Sequence, residues 1–237
     1  AVPMEVADYI LSNLEKSHSQ LQQDLVAKYI RENVTGAMTQ NSTSGFFVEF
    51  GAADGIQLSN SYILEKDFGW DGIVSEPARI WHRALERSRN CRIDQRCVSG
   101  ISGKTETFRE TADPKLSTLD SFHAGDANSE NRKRGYKNYK VTTVSLIDLL
   151  SFHGAPRWID FLSIDTEGGE LEILRQMDFK KYLFGFIAVE HAYGSDRTLI
   201  QELLSKNGYT RILSEISEFD DWYLPNENLN RWKSIYV

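Results

Sequence analysis

The chain has too few cysteines for a disulfide framework or a structural zinc site. Its only two, Cys91 and Cys97, lie six residues apart across an expected strand. No second pair completes four ligands, so they read as packed thiols. Proline is also scarce: five positions in 237 residues exclude a fibrous or linker-dominated chain. No apolar run approaches the roughly 18 residues of a membrane-spanning helix. The start, Ala1-Val2-Pro3-Met4-Glu5, lacks the basic and apolar regions of a signal peptide. A cytoplasmic protein is the expectation. Basic charge is in deficit too, with 27 Lys and Arg against 34 Asp and Glu and a formal net charge of −7. That balance disfavours broad attraction to nucleic acid or an anionic membrane. One local exception, Arg132-Lys133-Arg134-Gly135-Tyr136-Lys137-Asn138-Tyr139-Lys140, concentrates five bases and two tyrosines. It reads either as a solvated loop or as a surface on which an anionic partner stacks.

What is present fits one α/β domain. Hydrophobic residues make up 41% and charged residues 26%, and a chain of this length buries a sizeable core. Residues 1–44 are expected to form an N-terminal helical cap, with two short helices between Val6 and Tyr29 covering one edge of a sheet. The polar run Thr39 to Ser44 leads into residues 45–237, which carry the main domain. Strands are expected at Gly45–Phe50, Gly72–Ser75, Cys91–Val98, Trp158–Ile164, Phe184–Val189, Tyr209–Leu213 and Trp232–Val237, the last two as an antiparallel hairpin. Helices fall between them, among them Leu146–Phe152, Gly169–Met177 and Asp196–Asn207. A short strand pair, Lys104–Phe108 with Val141–Val144, flanks a variable insertion at 110–139 that is long enough to serve as a lid. This alternation predicts a doubly wound, Rossmann-like, mostly parallel sheet.

The first strand ends in Phe47-Val48-Glu49-Phe50-Gly51-Ala52-Ala53-Asp54-Gly55. The spacing is G-x-x-x-G, without the middle glycine that lets a pyrophosphate approach the backbone. Glu76, 21 residues beyond Gly55, sits where the second strand stops, and a carboxylate there accepts both hydrogen bonds of a ribose diol. A cofactor with a ribose but no diphosphate fits this turn, so S-adenosylmethionine comes first and NAD second. Two more acids, Asp165 and Glu190, also sit at strand exits. In an open α/β sheet those ends line the ligand crevice. Glu49, Asp54 and Asp165 match the positive charge of the sulfonium, and the backbone around Gly51 and Gly55 suits the methionyl part. Asp54 reads equally as a turn or helix cap. If the acceptor is an alcohol, His191 is the base whose ordinary pKa lies near neutrality. Asp165 is then free to orient the hydroxyl. Alternatively Asp165, Glu190 and His191 hold a divalent cation such as Mg2+, which lowers the acceptor pKa.

With these pieces in order, the chain resembles the FkbM-type methyltransferases, a family with the class I S-adenosylmethionine-dependent fold. The resemblance spans roughly residues 19–213 and rests on Ser19-Gln20 with Gln23-Asp24, the Phe47 to Gly55 turn, Leu58 to Ser61, Leu64-Glu65, Gly69 to Ile73, Ser75 to Pro77, Leu162 to Leu174 and Val189 to His191. It implies O-methylation of a hydroxyl on a sugar, glycan or small natural product. It also implies Gly51, Ala53 and Gly55 beside the methionyl part, Asn60 close by, Glu76 on the ribose, Cys97 and Val98 near adenine, and Asp165 at the donor–acceptor boundary. Glu49 stands where the family often has aspartate, and Gly169 where it often has alanine. The segment 110–139 and the region Asp220 to Asn230, with Trp222, Tyr223 and Pro225, are expected to shape acceptor selection. RNA ribose methylation, nicotinamide-dependent oxidoreduction and a noncatalytic role are the competing readings.

Overall fold

A computed structural model describes residues 2–36, 44–122 and 136–235. The expected loop 39–43, residues 123–135 of the insertion and basic stretch, and the last two residues of the expected closing strand lie outside the described residues. The first half of the chain runs α1 (Met4–Asn13), α2 (Gln23–Ile30), β1 (Phe46–Phe50), α3 (Tyr62–Lys66), β2 (Asp71–Ser75), α4 (His82–Ser88), β3 (Arg92–Asp94), β4 (Cys97–Ser99), β5 (Thr105–Glu110) and β6 (Thr118–Leu119). The second runs β7 (Lys137–Ser145), α5 (Leu146–Phe152), β8 (Trp158–Ile159), β9 (Phe161–Ile164), α6 (Glu170–Arg175), β10 (Leu183–Phe184), β11 (Ile187–Glu190), α7 (Arg197–Lys206), β12 (Tyr209–Ile212), β13 (Asp220–Pro225) and α8 (Leu229–Ser234).

Seven strands form the central sheet in the order β12-β13-β11-β9-β1-β2-β3. Every pairing is parallel except those of β13, which runs antiparallel to β11 and β12. The two-residue period of a strand sorts its side chains to opposite faces. Phe46, Val48 and Phe50 of β1, Leu162 and Ile164 of β9 and Ile187 and Val189 of β11 pack with Leu149, Ile173 and Leu204 from α5, α6 and α7. Phe47, Phe161, Ala188, Trp222 and Leu224 face the other way, against Val6, Leu25, Ile63 and Trp232 from α1, α2, α3 and α8. Helices therefore cover both faces, which is why β1 is buried throughout. A second sheet, β4-β7-β5-β6, packs its own small cluster around Cys97, Phe108, Leu119 and Val141.

Four sequence expectations are corrected. The N-terminal helices cover a face of the sheet, not its edge, because their apolar stripe meets the outward residues of β1, β9 and β13. The expected strand Cys91–Val98 breaks after Asp94. β3 stays with β2, while Cys97 to Ser99 crosses to pair with Thr143 to Ser145. The run Trp158–Ile164 breaks at Asp160, whose buried carboxylate accepts the Phe46 N–H at 2.8 Å and the Trp158 Nε1–H at 3.1 Å. The partner of β12 is β13, and the segment expected as the closing strand forms α8. Leu229 and Trp232, three residues apart, share the helix side that packs on the second face. Both cysteines are free thiols. No helix among the described residues is long and apolar enough to cross a membrane.

Candidate active site

The chain leaves β1 toward β2 and β3, then returns on the other side of β1 as β9 and β11. Such a reversal opens a crevice at the carboxyl ends of the strands. There lies a cavity of about 570 Å³. Register decides what lines it: Phe50 pairs with Ser75 and Ile164 with Val189, so Gly51, Glu76, Asp165 and Glu190 emerge at one level. Ala53, Asn60, Cys97 and Val98 complete the expected set in the wall. Gly51 is required by two features. Its φ is +75°, and a Cβ built on it would meet the Asp165 carbonyl oxygen at 2.2 Å. Left-handed backbone costs a non-glycine residue about 1–2 kcal/mol, and overpacking about 1–3 kcal/mol. Gly51→Ala is therefore expected to lower the melting temperature by roughly 4–20 °C. Differential scanning calorimetry checks this, and an unchanged melting temperature would show that the turn has room to spare.

The Glu76 carboxylate spans the turn, its Oε2 accepting the Ala53 N–H at 2.9 Å and its Oε1 the Ala78 N–H at 2.7 Å. Each oxygen keeps a further lone pair. Burial pushes the Glu76 carboxyl up to about 7, against the pull of those two N–H groups. Asn60 donates from Nδ2 to Ser163 Oγ at 2.9 Å, while its Oδ1 is buried without a partner. An orphaned acceptor in a cavity wall fits a ligand that brings an N–H.

Three expected cofactor residues lie outside the lining. Glu49 sits beneath it: Oε1 accepts the Asn60 N–H at 2.6 Å and Oε2 the Ser59 and Ser61 hydroxyls, with Arg89 Nη1 at 3.5 Å. It ties the loop that carries Asn60 to β1. Asp54 caps its own turn, accepting from the N–H groups of Ile56 and Gln57 at 2.9 and 2.8 Å. Gly55, at φ +80°, is packed under α4, where a Cβ would lie 2.7 Å from Leu85 Cδ1. Its freedom serves a close approach of backbone to helix.

At the other end of the cavity acids accumulate. Burial pushes the Asp165 carboxyl up to about 7, although a hydrogen bond from Glu190 opposes the rise. Glu190 is driven higher by burial and by the Asp165 charge. The pair thus shares one proton, which stays on Glu190 and is donated to Asp165. Asp220 accepts from Gln23 Nε2 at 2.8 Å and from Trp222 Nε1 at 3.2 Å, and burial lifts it to about 6.

His191 is set apart from this group. It lines a smaller cavity beside the main one, not the main cavity itself, and its Nδ1 accepts the Tyr193 N–H at 3.0 Å. The proton of the neutral ring is then on Nε2, 3.7 Å from Asp221 Oδ1. Burial holds the imidazole below its ordinary pKa, so it is neutral at pH 7. With Nδ1 accepting and Nε2 protonated, no lone pair is free for a base or a metal ligand. The acids that converge, each offering an oxygen within 4.8 Å of the others, are Asp165, Glu167 and Glu190.

Gln20, Gln23 and Glu167, assigned no site role from the sequence, line the cavity, and so does Asp220, expected only as the start of the region that shapes acceptor selection. A strand-exit rule could not find Asp220, because β13 is antiparallel and delivers its first residue to the crevice. Trp222 and Tyr223, expected to select the acceptor, are fully buried core.

A doubly wound sheet with its carboxylates gathered at the switch point is the architecture of a class I methyltransferase. The chain belongs to the family defined by the methyltransferase FkbM domain, which matches residues 49–218. Membership implies S-adenosylmethionine as methyl donor and removes the nicotinamide reading. Methyltransferase FkbM from Methylobacillus flagellatus KT aligns at 16% identity and a TM-score of 0.45, over 92% of this chain and 60% of its own. This chain thus spans 60% of that relative's length. The N-terminal domain of human METTL16 in complex with SAH aligns at 13% identity and a TM-score of 0.40, over 86% of this chain and 68% of its own. Human methyltransferase 10 domain containing protein aligns at 12% identity and a TM-score of 0.44, over 94% of each chain. Among curated proteins none matches.

Proposed function

We propose that the protein transfers a methyl group from S-adenosylmethionine to a hydroxyl of a sugar, glycan or small natural product. The observation that carries this reading is the half-buried Asp165–Glu190 carboxyl pair on the cavity wall, two converging acids that raise one another, with Asp165 at about 7. A base near neutral pKa is what an alcohol needs to lose its proton at working pH.

The residues present fit the cofactor. Glu76 has lone pairs for both ribose hydroxyls, Cys97 and Val98 offer a low-polarity wall to adenine, and Asn60 Oδ1 accepts from the methionyl amine. The Cys97 thiol, pushed up to about 12 by burial, stays neutral. Gly51 and Ala53 bring backbone close to the methionyl part. Glu49 acts through Asn60 as a positioning residue, and Asp54 and Gly55 hold the turn. When bound, S-adenosylmethionine supplies an electrophilic methyl group and departs as S-adenosylhomocysteine, the C–S electron pair remaining on sulfur. Asp165 accepts the hydroxyl proton as the acceptor oxygen bonds to carbon. Glu190 keeps its own proton and stabilises the Asp165 carboxylate beforehand. Alignment by the rigid strand ends contributes up to about 7–11 kcal/mol. In this route a proton, in place of a divalent ion at Asp165, Glu167 and Glu190, offsets the repulsion between the acids.

Two features oppose RNA as acceptor. Tyr139 and Tyr136 are faced by the chain's own Arg79 and Arg109, at 4.2 and 4.0 Å from the ring centres. The acid-lined end of the cavity also repels phosphate. The test is calorimetry followed by an acceptor screen. One-site binding of S-adenosylmethionine and S-adenosylhomocysteine, none of NAD, and a product methylated on oxygen are expected. Transfer only to nitrogen, or only to an oligonucleotide, would sink the proposal.

A further inference from the structure

Beside the main cavity lies a smaller one of about 190 Å³, and Glu190 and Ala192 line both. The two spaces meet at Glu190 and Ala192. The first has the size, roughly 300–1,000 Å³, that seats one ligand as large as a cofactor. The second holds the equivalent of about six waters at ~30 Å³ each, which is one small ring. The Phe122 side chain forms part of its wall and lies against the Gly168-Gly169 turn, 3.2 Å from where a Gly168 Cβ would stand. The junction is also strained: Glu167, Ala192 and Tyr193, none of them glycine, have φ of 59°, 40° and 58°. Such backbone strain collects at ligand sites, where the surroundings over-determine the chain.

We infer that this second cavity is the acceptor subsite and that it takes a single uncharged ring bearing a hydroxyl, excluding phosphorylated acceptors. The inference rests on the O-methylation reading for the word acceptor, but its geometry stands apart from it. A ring seated there lies against Glu190, whose carboxyl hydrogen-bonds Asp165, and a hydroxyl on it reaches Asp165 from the side of the second cavity. Charge selects the class. Glu170 and Asp196 contribute carboxylates to the wall and Glu190 a protonated carboxyl, and the Arg197 guanidinium is already engaged by Asp221 at 3.0 and 2.8 Å. A phosphate would meet acids with that cation already paired. A neutral polyol instead meets hydrogen-bonding groups and the face of Phe122.

Saturation-transfer NMR on the full chain loaded with S-adenosylhomocysteine tests this, with methyl α-glucopyranoside and a cyclitol as neutral probes and glucose 6-phosphate as the charged one. Ser195 is exposed and Phe122 half-buried, so Ser195→Trp and Phe122→Ala should fold. Affinity for S-adenosylhomocysteine within twofold of the parent checks that they do. Binding of a neutral ring that weakens at least tenfold in both variants is expected. The inference is overturned if neutral binding is unchanged in the variants, if the phosphate binds more tightly, or if neither neutral ring binds. A ring that binds here yet gains no methyl on oxygen when S-adenosylmethionine is supplied would refute the O-methylation reading and leave the subsite standing.

Discussion

Glu76→Ala is expected to weaken S-adenosylhomocysteine binding by about 10²–10⁴-fold. Two hydrogen bonds from ribose hydroxyls to a buried charged acceptor contribute about 1.5–3 kcal/mol each; their sum, about 3–6 kcal/mol, converts to that range. Folding should survive, because the substitution also removes a buried carboxylate whose raised pKa opposes folding at neutral pH. The same raised value sets a pH dependence. Glu76 sits at about 7, so affinity should rise as pH rises through 7 and fall roughly tenfold per unit below it. Stability has the opposite sign. A carboxyl raised above its unfolded value contributes stability that is fully present below that value and lost as pH rises through the folded one. Glu76 and Asp165 at about 7 and Asp220 at about 6 all act this way. The unliganded protein should therefore melt lower at pH 8 than at pH 5. Glu65 works in reverse: burial would raise it, but bonds from Arg89 and the Asn90 N–H hold it at about 2, so its contribution is lost only in strong acid. Calorimetry across pH 5 to 8 checks the rise in affinity and the fall in stability, and unchanged affinity in Glu76→Ala would remove the ribose role.

Asp165→Asn should reduce turnover by about 10²–10⁴-fold, the worth of a positioned base, while affinity for S-adenosylhomocysteine changes by less than about tenfold. The amide keeps the shape but cannot take the hydroxyl proton. In the parent, turnover should rise with pH around 7 as Asp165 ionises, and that rise should vanish in the variant. Dialysis against a chelator should leave the parent rate unaltered. His191→Ala separates the two candidate bases: with Nδ1 bonded to the Tyr193 N–H and Nε2 protonated, its loss should weaken acceptor binding in the second cavity, which it lines, more than it lowers turnover. Full turnover in Asp165→Asn would leave alignment as the whole of catalysis.

Much of this was legible because it is local. The near-continuous apolar run around Glu49 announces β1, and strand exits place Gly51, Glu76, Asp165 and Glu190 at one rim. The failures share a cause. Glu49 reads as a cofactor contact until Ser59, Ser61 and Arg89 are seen to enclose it. His191 reads as a base until the Tyr193 N–H takes Nδ1. Tyr223 reads as an acceptor contact until β13 is found between β11 and β12.

The sequence by itself determined the fold class, the turn after β1 and the acids at the parallel strand ends. These follow from hydrophobic period and from glycine and carboxylate placement within a few residues. Only the tertiary structure decided that Gln23 and Asp220, 197 residues apart, close the cavity together, and that the carboxyls of Asp165 and Glu190 converge. Such pairings depend on which strands become neighbours, and that is settled by burial across the whole sheet, not by any local spacing.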